Sequence, residues 1–566
     1  MERSFFRIVL LTTCSAAAFA QQAHLSKDLQ NADLNSNVDV IVQFREAPTS
    51  AHHHLVTDLG GALKKELHSI KGGAYSLPAK SLQALASNAR VASIVPDRKV
   101  HMLLDNTTAA VNAPAAWNSG LDGSGIGVAV IDSGISNHDD LQGQNGSRIV
   151  YRESFVNSDG YDHYGHGEHV AGIVASNGTD SQCAICTRHF VGVAPNANLI
   201  DLQVLDGNGE GNDSDVIAAI DRAIELQAQY NIRVINISLG RPVYDSYFID
   251  PICQAAEFAW HAGIVVVVAA GNGGRDNSAG NNGYGTITAP GNDPYVITVG
   301  AMKSMGTPQR IDDLIASYSS KGPTQVDHVI KPDLVAPGNI VTSLLSPNGS
   351  LQTSYPENLV PLSYYEATNS TQPSTSYFAL SGTSMAAPVV SGAAALLLQA
   401  QPNLTPDQVK AKFMRTAYKN FLPTSTAVDP TTGQSYTSEY DVFTVGAGYL
   451  DIQAALADNT SFVGFANSPT ASYVGNFVST GKAYIVCGAF SVCAEQSIWG
   501  TQSIWGTQSI WGTQAILPDQ SIWGTQSIWG TQSIWGTQSI WGTQSIWGTT
   551  NVDSTEAQSI AIHGEN

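Results

Sequence analysis

From about Ala109 onward, short apolar runs recur along the chain with helical patterns between them. The runs are GVAVI (127–131), ANLIDLQVL (197–205), RVINISL (233–239), GIVVVVAA (263–270) and YVITVGA (295–301); Asp215–Gln229 and Pro388–Gln401 have helical periodicity. The β-branched run IVVVVAA at 264–270 predicts a strand buried on both faces, and the alternation of such runs with helices predicts a parallel sheet sandwiched by helices. In such a sheet the chemistry gathers at the carboxyl ends of the strands. The preceding stretch has another texture. VDVIVQF (38–44) alternates like a strand, Ser50–Lys65 is helix-like, Leu67–Leu77 strand-like, Lys80–Ala89 helix-like and Val91–Val95 strand-like. That order predicts a small α+β unit near the lower size limit of an autonomous domain.

The two ends carry different signals. Arg3 and Arg7 precede an apolar stretch around Ile8–Leu11, then small residues and Ala18-Phe19-Ala20, the pattern of a secretory signal peptide over 1–20. At the other end, three QSIWGT hexads, the six residues QAILPD and five more hexads fill 496–549. In an extended strand Trp, Ser and Thr would share one face, with Ile, Gln and Gly on the other. The repeat is compatible with a β-solenoid, with a flexible array, or with ordering on a partner. Evenly spaced aromatics beside hydroxyls suit stacking on a cell surface, glycan or polymer, and a replicated neutral appendage is the plainer alternative.

Composition sharpens this picture. With 566 residues the chain is long enough for two or three units plus a tail, and its formal charge of -20 argues against nucleic acid as a partner. Five cysteines follow the signal segment, so at least one thiol stays free or pairs between chains. Cys183-Ala-Ile-Cys186 has the spacing of a redox pair or half a zinc site; export favours a local disulfide. His52-His53-His54 is a metal tract or, more simply, a solvated helix start.

Three motifs then occur in order. In VAVIDSGISNHDDL, Asp132 follows a strand. In YGHGEHVAGIVAS, His166 opens a helix. In LSGTSMAAPVVSGAAALLL, Ser384 begins an Ala-rich helix. A serine hydroxyl becomes nucleophilic when an imidazole removes its proton, and a carboxylate fixes the imidazole's tautomer. A helix N-terminus beneath the serine supplies N–H groups to an oxyanion, and Asn272 in VVAAGNGG has an amide that can add a second donor.

These residues, together with GVAPNANLIDLQVLD, NISLG, TVGA, YSSKGP, KPDLVAPG and GAGYLDIQAAL, make the stretch Ala109–Ala457 resemble a subtilisin-like serine protease of the subtilase (peptidase S8) family. The resemblance implies a secreted serine endopeptidase with Asp132, His166 and Ser384 as triad and Asn272 in the oxyanion hole. It further implies that Gly209–Gly211 and Ser238, Leu239 and Gly240 flank a bound peptide as edge strands, with Ala269–Gly271 lining the P1 pocket. Backbone pairing of that kind predicts broad specificity for protein or peptide substrates. By the same resemblance 21–105 is a propeptide, chaperone and inhibitor of a catalytic domain over 109–457, released by a cut near His101–Ala110. Residues 458–495 read as a β-rich linker and 550–566 as a C-terminal end. No cofactor is implied for the chemistry; structural calcium is compatible with the family, with no metal ligands assigned.

Two departures from the family stand out. Glu168 takes the place of the usual threonine and is expected either to raise the histidine pKa or, more simply, to face solvent at the helix start. The segment between Gly338 and Gly382 is long, and is expected as a surface loop near the cleft. Among other readings, His163-x-x-His166-x-x-His169 invites zinc, but HExxH is absent and glycines interrupt the turn. DGNGEGND (206–213) is like a calcium loop, yet Ile217 stands where the bidentate acid belongs. A surface adhesin with an inactive protease domain would have lost a triad member, and none is lost.

Overall fold

The computed structural model describes residues 23–26, 29, 34, 36–67, 71–96, 102–103, 106–144, 146–278, 280–429, 432–474, 482–487 and 564–565. The signal segment and the hexads lie outside the described residues. The chain divides into two compact units, Met1–Val100 and His101–Asn566.

In the first unit, β1 (Asn37–Phe44) lies between β3 (Gly72–Pro78) and β4 (Val91–Pro96), antiparallel to both. β2 (Ala62–Leu67) adds to β3 at the edge. Val40, Val42 and Phe44 point inward against Val56 of α1 (Ser50–Thr57) and Leu82 and Leu85 of α2 (Leu82–Ala86). The helix expected to reach Lys65 stops at Thr57 instead. Gly60 turns the chain at φ +84°, a backbone that favours glycine, and ALKKEL returns as β2. Edge pairing thus overrides the helix propensity of Leu, Lys and Glu. The histidine run is not a uniformly solvated face: His52 is buried against the Phe44 ring, His53 Nδ1 meets Tyr75 Oη at 2.8 Å, and His54 is exposed.

The second unit is α/β, built on parallel strands in the order β6-β7-β5-β8-β9-β10-β11. These are β5 (Gly127–Asp132), β6 (Ile149–Ser154), β7 (Asn198–Gln203), β8 (Ile232–Ile237), β9 (Val265–Ala269), β10 (Ile297–Lys303) and β11 (Leu334–Pro337). Leu314–Ile315 adds a short antiparallel pairing to β10. Register puts Asp132 beside Gln203 and Ile131 beside Ile237, so the last residues of three strands share one edge. The order reverses direction around β5, which opens a crevice at that edge.

Helices α3 (His166–Ala175) and α6 (Thr383–Ala400) pack on each other; α4 (Asp213–Glu225) and α5 (Pro251–His261) form a second pair. α6 is long and apolar enough to cross a membrane, but it runs through the core and contacts β8, β9 and β10. Three further strands follow: β12 (Val341–Leu344), β13 (Leu359–Pro361) and β14 (Pro373–Leu380). They form an antiparallel sheet in the order β12-β14-β13, where a surface loop was expected. Burial decides it, because Tyr377, Phe378 and Leu380 remove apolar bulk from water while Thr375 stays exposed.

Candidate active site

Asp132 is the last residue of β5 and is buried. Its Oδ1 accepts from Ser133 N at 2.8 Å and lies 2.7 Å from His166 Nδ1. A carboxylate can only accept, so Nδ1 carries the proton and Nε2 is left as the basic nitrogen. Burial pulls the His166 pKa down, but the Asp132 carboxylate outweighs it, and the net direction is upward.

His166 owes its place to a helix start built from Asp162. That carboxylate accepts from Tyr164 N, Gly165 N and Glu168 N at 3.0, 2.7 and 2.8 Å, and from Ser133 Oγ at 2.9 Å. It satisfies amides that a helix N-terminus leaves unpaired. Gly167 is required because a Cβ there would stand 2.2 Å from the Gly134 carbonyl oxygen. α3 therefore sits directly on the turn after β5.

Ser384 is the second residue of α6, and of residues 381–398 it alone is not buried. Its Oγ donates to the Ser238 carbonyl at 3.0 Å, while Ser238 Oγ donates to the Ser384 carbonyl at 2.9 Å. Pro388 explains the second bond. Having no N–H, it leaves the carbonyl four residues earlier, that of Ser384, without its helical donor, and Ser238 fills the gap. Asn236 Nδ2 in turn donates to Ser238 Oγ at 2.9 Å. Among the described residues no hydrogen bond joins Ser384 Oγ to His166; such bonds commonly form only when substrate binds.

Asn272 follows β9. Its Oδ1 accepts from Thr383 N at 2.9 Å and Thr383 Oγ1 at 3.1 Å, which turns Nδ2 the other way. A Cβ on Gly382 (φ +144°) would stand 3.2 Å from Asn272 Nδ2 and 3.6 Å from Ser384 N. Two N–H donors thus border one small volume that only glycine leaves open, the geometry an oxyanion hole needs.

The other expected contact residues lie around the same edge. Gly209 and Gly211 sit in the loop after β7, and Ser238, Leu239 and Gly240 continue β8 without sheet pairing. Ala269 ends β9, and Gly271 N donates to Thr383 Oγ1 at 3.0 Å. Asp162, Ser133 and Thr383 were missed as site residues by the sequence reading, and Ser238 was expected to flank a peptide but not to bond with Ser384. Only Asp162 left a signal there, as an acid just ahead of a helix start.

Glu168 does not face solvent. It is fully buried, accepts from Ser136 N, and shares its surroundings with Asp162, Asp201 and Arg152. Burial and the Asp162 charge hold its pKa well above the ordinary value. Burial likewise pushes Asp162 to about 6, and Asp201 to about 8 despite the Arg152 guanidinium at 2.8 Å.

The described residues do not support the metal readings. His163 is exposed and pairs with Asp159, His166 faces Asp132, and His169 donates to the Val341 carbonyl, where burial lowers its pKa to about 3. Cys183 and Cys186 form a disulfide, so they offer no thiolates. Cys487 is also disulfide-bonded, and Cys253 is a free, buried thiol whose pKa burial pushes up. His138, Asp140 and Asp180 lie close together, but Asp140 already accepts from Asp180 N, Ser176 Oγ and Tyr377 Oη. Asp206 turns its Oδ1 to Asn208 N and Glu210 N. Calcium needs six to eight oxygens, and neither group fits it.

Comparison with known proteins agrees with the geometry. The Subtilase family (Peptidase_S8) matches residues 123–448. "Serine protease AprX" of Bacillus subtilis (strain 168) is 38% identical over 401 residues, which cover 68% of this chain and 82% of the relative. "Subtilisin E" of the same organism is 33% identical over 367 residues, 64% of this chain and 80% of its own length. The "Thermostable alkaline protease" of Halalkalibacterium halodurans is 29% identical over 431 residues, 73% of this chain and 94% of that protein. A parallel sheet with a carboxylate–imidazole pair at its carboxyl edge, a half-exposed serine opening the core helix, and these relatives lead to one conclusion: the chain belongs to the subtilase family and is a serine-type endopeptidase.

Proposed function

We propose that the enzyme is exported and hydrolyses peptide bonds through an acyl-enzyme, with Asp132, His166 and Ser384 as its triad. The observation that carries this reading is the 2.7 Å contact between Asp132 Oδ1 and His166 Nδ1. A substrate displaces the Ser384 hydroxyl from the Ser238 carbonyl. His166 Nε2 takes the hydroxyl proton as Oγ attacks the scissile carbonyl carbon, and Asp132 stabilises the imidazolium. Asn272 Nδ2 and Ser384 N donate to the resulting oxyanion. His166 returns the proton to the leaving amine, and a water, activated by the same nitrogen, hydrolyses the ester.

Ser238–Gly240 and Gly209–Gly211 flank the substrate backbone, and Ala269–Gly271 border the P1 side chain. Residues 1–20 direct export, 21–105 keep the precursor inhibited until cleavage, and the catalytic domain spans 109–457. The hexads at 496–549 localise the enzyme on a cell surface, glycan or polymer. Calcium has no assigned role.

A serine-reactive fluorophosphonate tests the reading. It should label the mature enzyme and not Ser384→Ala, whose kcat should fall by about 10^6-fold. An unlabelled, inert mature protein would favour the adhesin alternative. Removing 496–549 in frame should leave hydrolysis of a small peptide unchanged and lower retention on cells; unchanged retention would end the localising idea.

A further inference from the structure

Two residues beyond the repeats in sequence, Gly564 and Glu565, lie on the second unit. Glu565 has a side chain only 3% exposed. Its Oε2 accepts from Ser317 N at 2.6 Å, and Oε1 faces Arg275 Nη2 at 3.5 Å and Lys303 Nζ at 3.7 Å. Both cations are themselves buried, with side chains 7% and 5% exposed. A buried carboxylate is tolerated where charge and hydrogen bonds await it. Here two cations and one amide do.

The backbone of the same residue is read separately. Glu565 N donates to Asn339 Oδ1 at 2.8 Å, and Asn339 Nδ2 donates to the Glu565 carbonyl at 2.7 Å. One side-chain amide therefore holds both polar groups of one residue. Gly564 adopts φ +71°, and a Cβ there would stand 2.5 Å from both Ile340 Cγ1 and Ser381 Oγ. Any other residue at 564 would strain the backbone and collide with the wall.

We propose that the second unit carries a recognition pocket for the dipeptide Gly-Glu, filled by the chain's own residues 564–565. Its specificity comes from three independent features: a wall that admits only glycine, an asparagine that grips the next residue's backbone, and a buried cationic end that requires a carboxylate. Aspartate is one methylene too short to reach Ser317 N while its backbone stays on Asn339. Glutamine reaches, but brings no charge to Lys303 or to Arg275, whose guanidinium also pairs with Asp429 at 3.0 Å.

A second attachment to the same unit lies ahead of the repeats in sequence. The outgoing chain is fastened at Ser468–Ala471: Ile330 N donates to the Pro469 carbonyl and Ala471 N to the His328 carbonyl, each at 2.8 Å. Residues 468–471 and 564–565, which precede and follow the hexads in sequence, therefore both hold to the second unit. The walls of the pocket lie close in sequence to the candidate active site. Arg275 is three residues past Asn272, and Ser381 is three before Ser384. Ser381 Oγ accepts from Ile340 N at 2.7 Å, which joins the Asn339–Ile340 wall to the segment that leads into α6.

Amide hydrogen exchange on the full chain, made inert by Ser384→Ala so that it does not digest itself, tests the pocket without reference to activity. The Ser317 amide has its acceptor on Glu565, so its protection reports docking. Peptides containing Ser317 and Glu565 should exchange at least about tenfold faster in Glu565→Gln and in Gly564→Ala, with the rest of the second unit unchanged. Asn339→Ala, on the pocket side, should release the Glu565 amide in the same way. Equal exchange at Ser317 and Glu565 across parent and variants, or a Glu565 amide that exchanges at the unprotected rate in the parent, would overturn the proposal.

Discussion

Two groups of buried carboxyls in the second unit have opposite surroundings. Asp333 meets two ammonium groups, Lys331 Nζ at 2.7 Å and Lys410 Nζ at 3.1 Å, and accepts from Thr298 N at 2.8 Å. Burial alone would raise its pKa, yet the two lysines hold it below the ordinary range. Behind His166, by contrast, Asp162, Glu168 and Asp201 lie among one another, the Arg152 guanidinium bears on Glu168 and Asp201, and all three are pushed up. Burial is common to both groups; the count of neighbouring cations is what differs. Asp132 stands between these extremes, one carboxylate facing one imidazole.

The difference gives the two groups opposite pH slopes. Asp333 is depressed, so its contribution is present above the ordinary carboxylate value of about 3.9 and is lost as pH falls through its folded value. The acid-rich group is raised. The folded state holds protons that the unfolded chain has released, so its contribution weakens as pH rises from about 4 through about 6 and about 8, the values for Asp162 and Asp201.

The strongest way to break this comparison is at its midpoint. Asp132→Asn should lower kcat by about 10^4-fold, because the imidazole loses its tautomer-fixing partner. It should also move the acid limb of kcat/KM downward, since Asp132 is what raises the His166 pKa. A variant with an unmoved limb would show that the raised value has another source. Next in size, Asp333→Ala removes the carboxylate that both buried lysines contact and should cost about 3–5 kcal/mol in urea unfolding. A loss under about 1 kcal/mol would mean the lysines are not held as charges. The smallest effect sharpens the acid-rich side. Glu168→Gln mimics the protonated acid, so its stability relative to the parent should grow as pH rises from about 5 to about 9. A constant difference across that range would remove Glu168 as a proton holder.

Much of the second unit was legible because its local and global signals agree. The runs at 127–131 and 263–270 carry no polar side chain, which suits a strand covered on both faces, and 233–239 is apolar at Val234, Ile235, Ile237 and Leu239; they became β5, β9 and β8. Where the signals conflicted, the reading failed. ALKKEL has helical composition but pairs with β3, a partner that lies beyond it in the chain. The segment before Gly382 is polar enough to suggest a loop, yet its tyrosines pack inward: Tyr365 and Tyr377 stack edge to face at 5.4 Å. At the candidate site, Asp132, His166 and Ser384 stood in recognisable motifs. The support for them did not, because it comes from long-range contacts. Ser238 lies 146 residues from Ser384, and no local pattern joins them. Glu168 misled for a related reason: an acid in the first helical turn usually favours exposure, but here α3 presses that turn against Ser136 and Asp201.

The exchange of hydrogen bonds between Ser238 and Ser384 has a mechanical corollary. Because Pro388 withholds a donor, the Ser384 residue is tied to Ser238, just past the end of β8, as well as to its own helix. A polypeptide laid along Ser238–Gly240 would press on that same tie. Alterations in the neighbouring loop at 241–250 are then expected to register in turnover as well as in affinity.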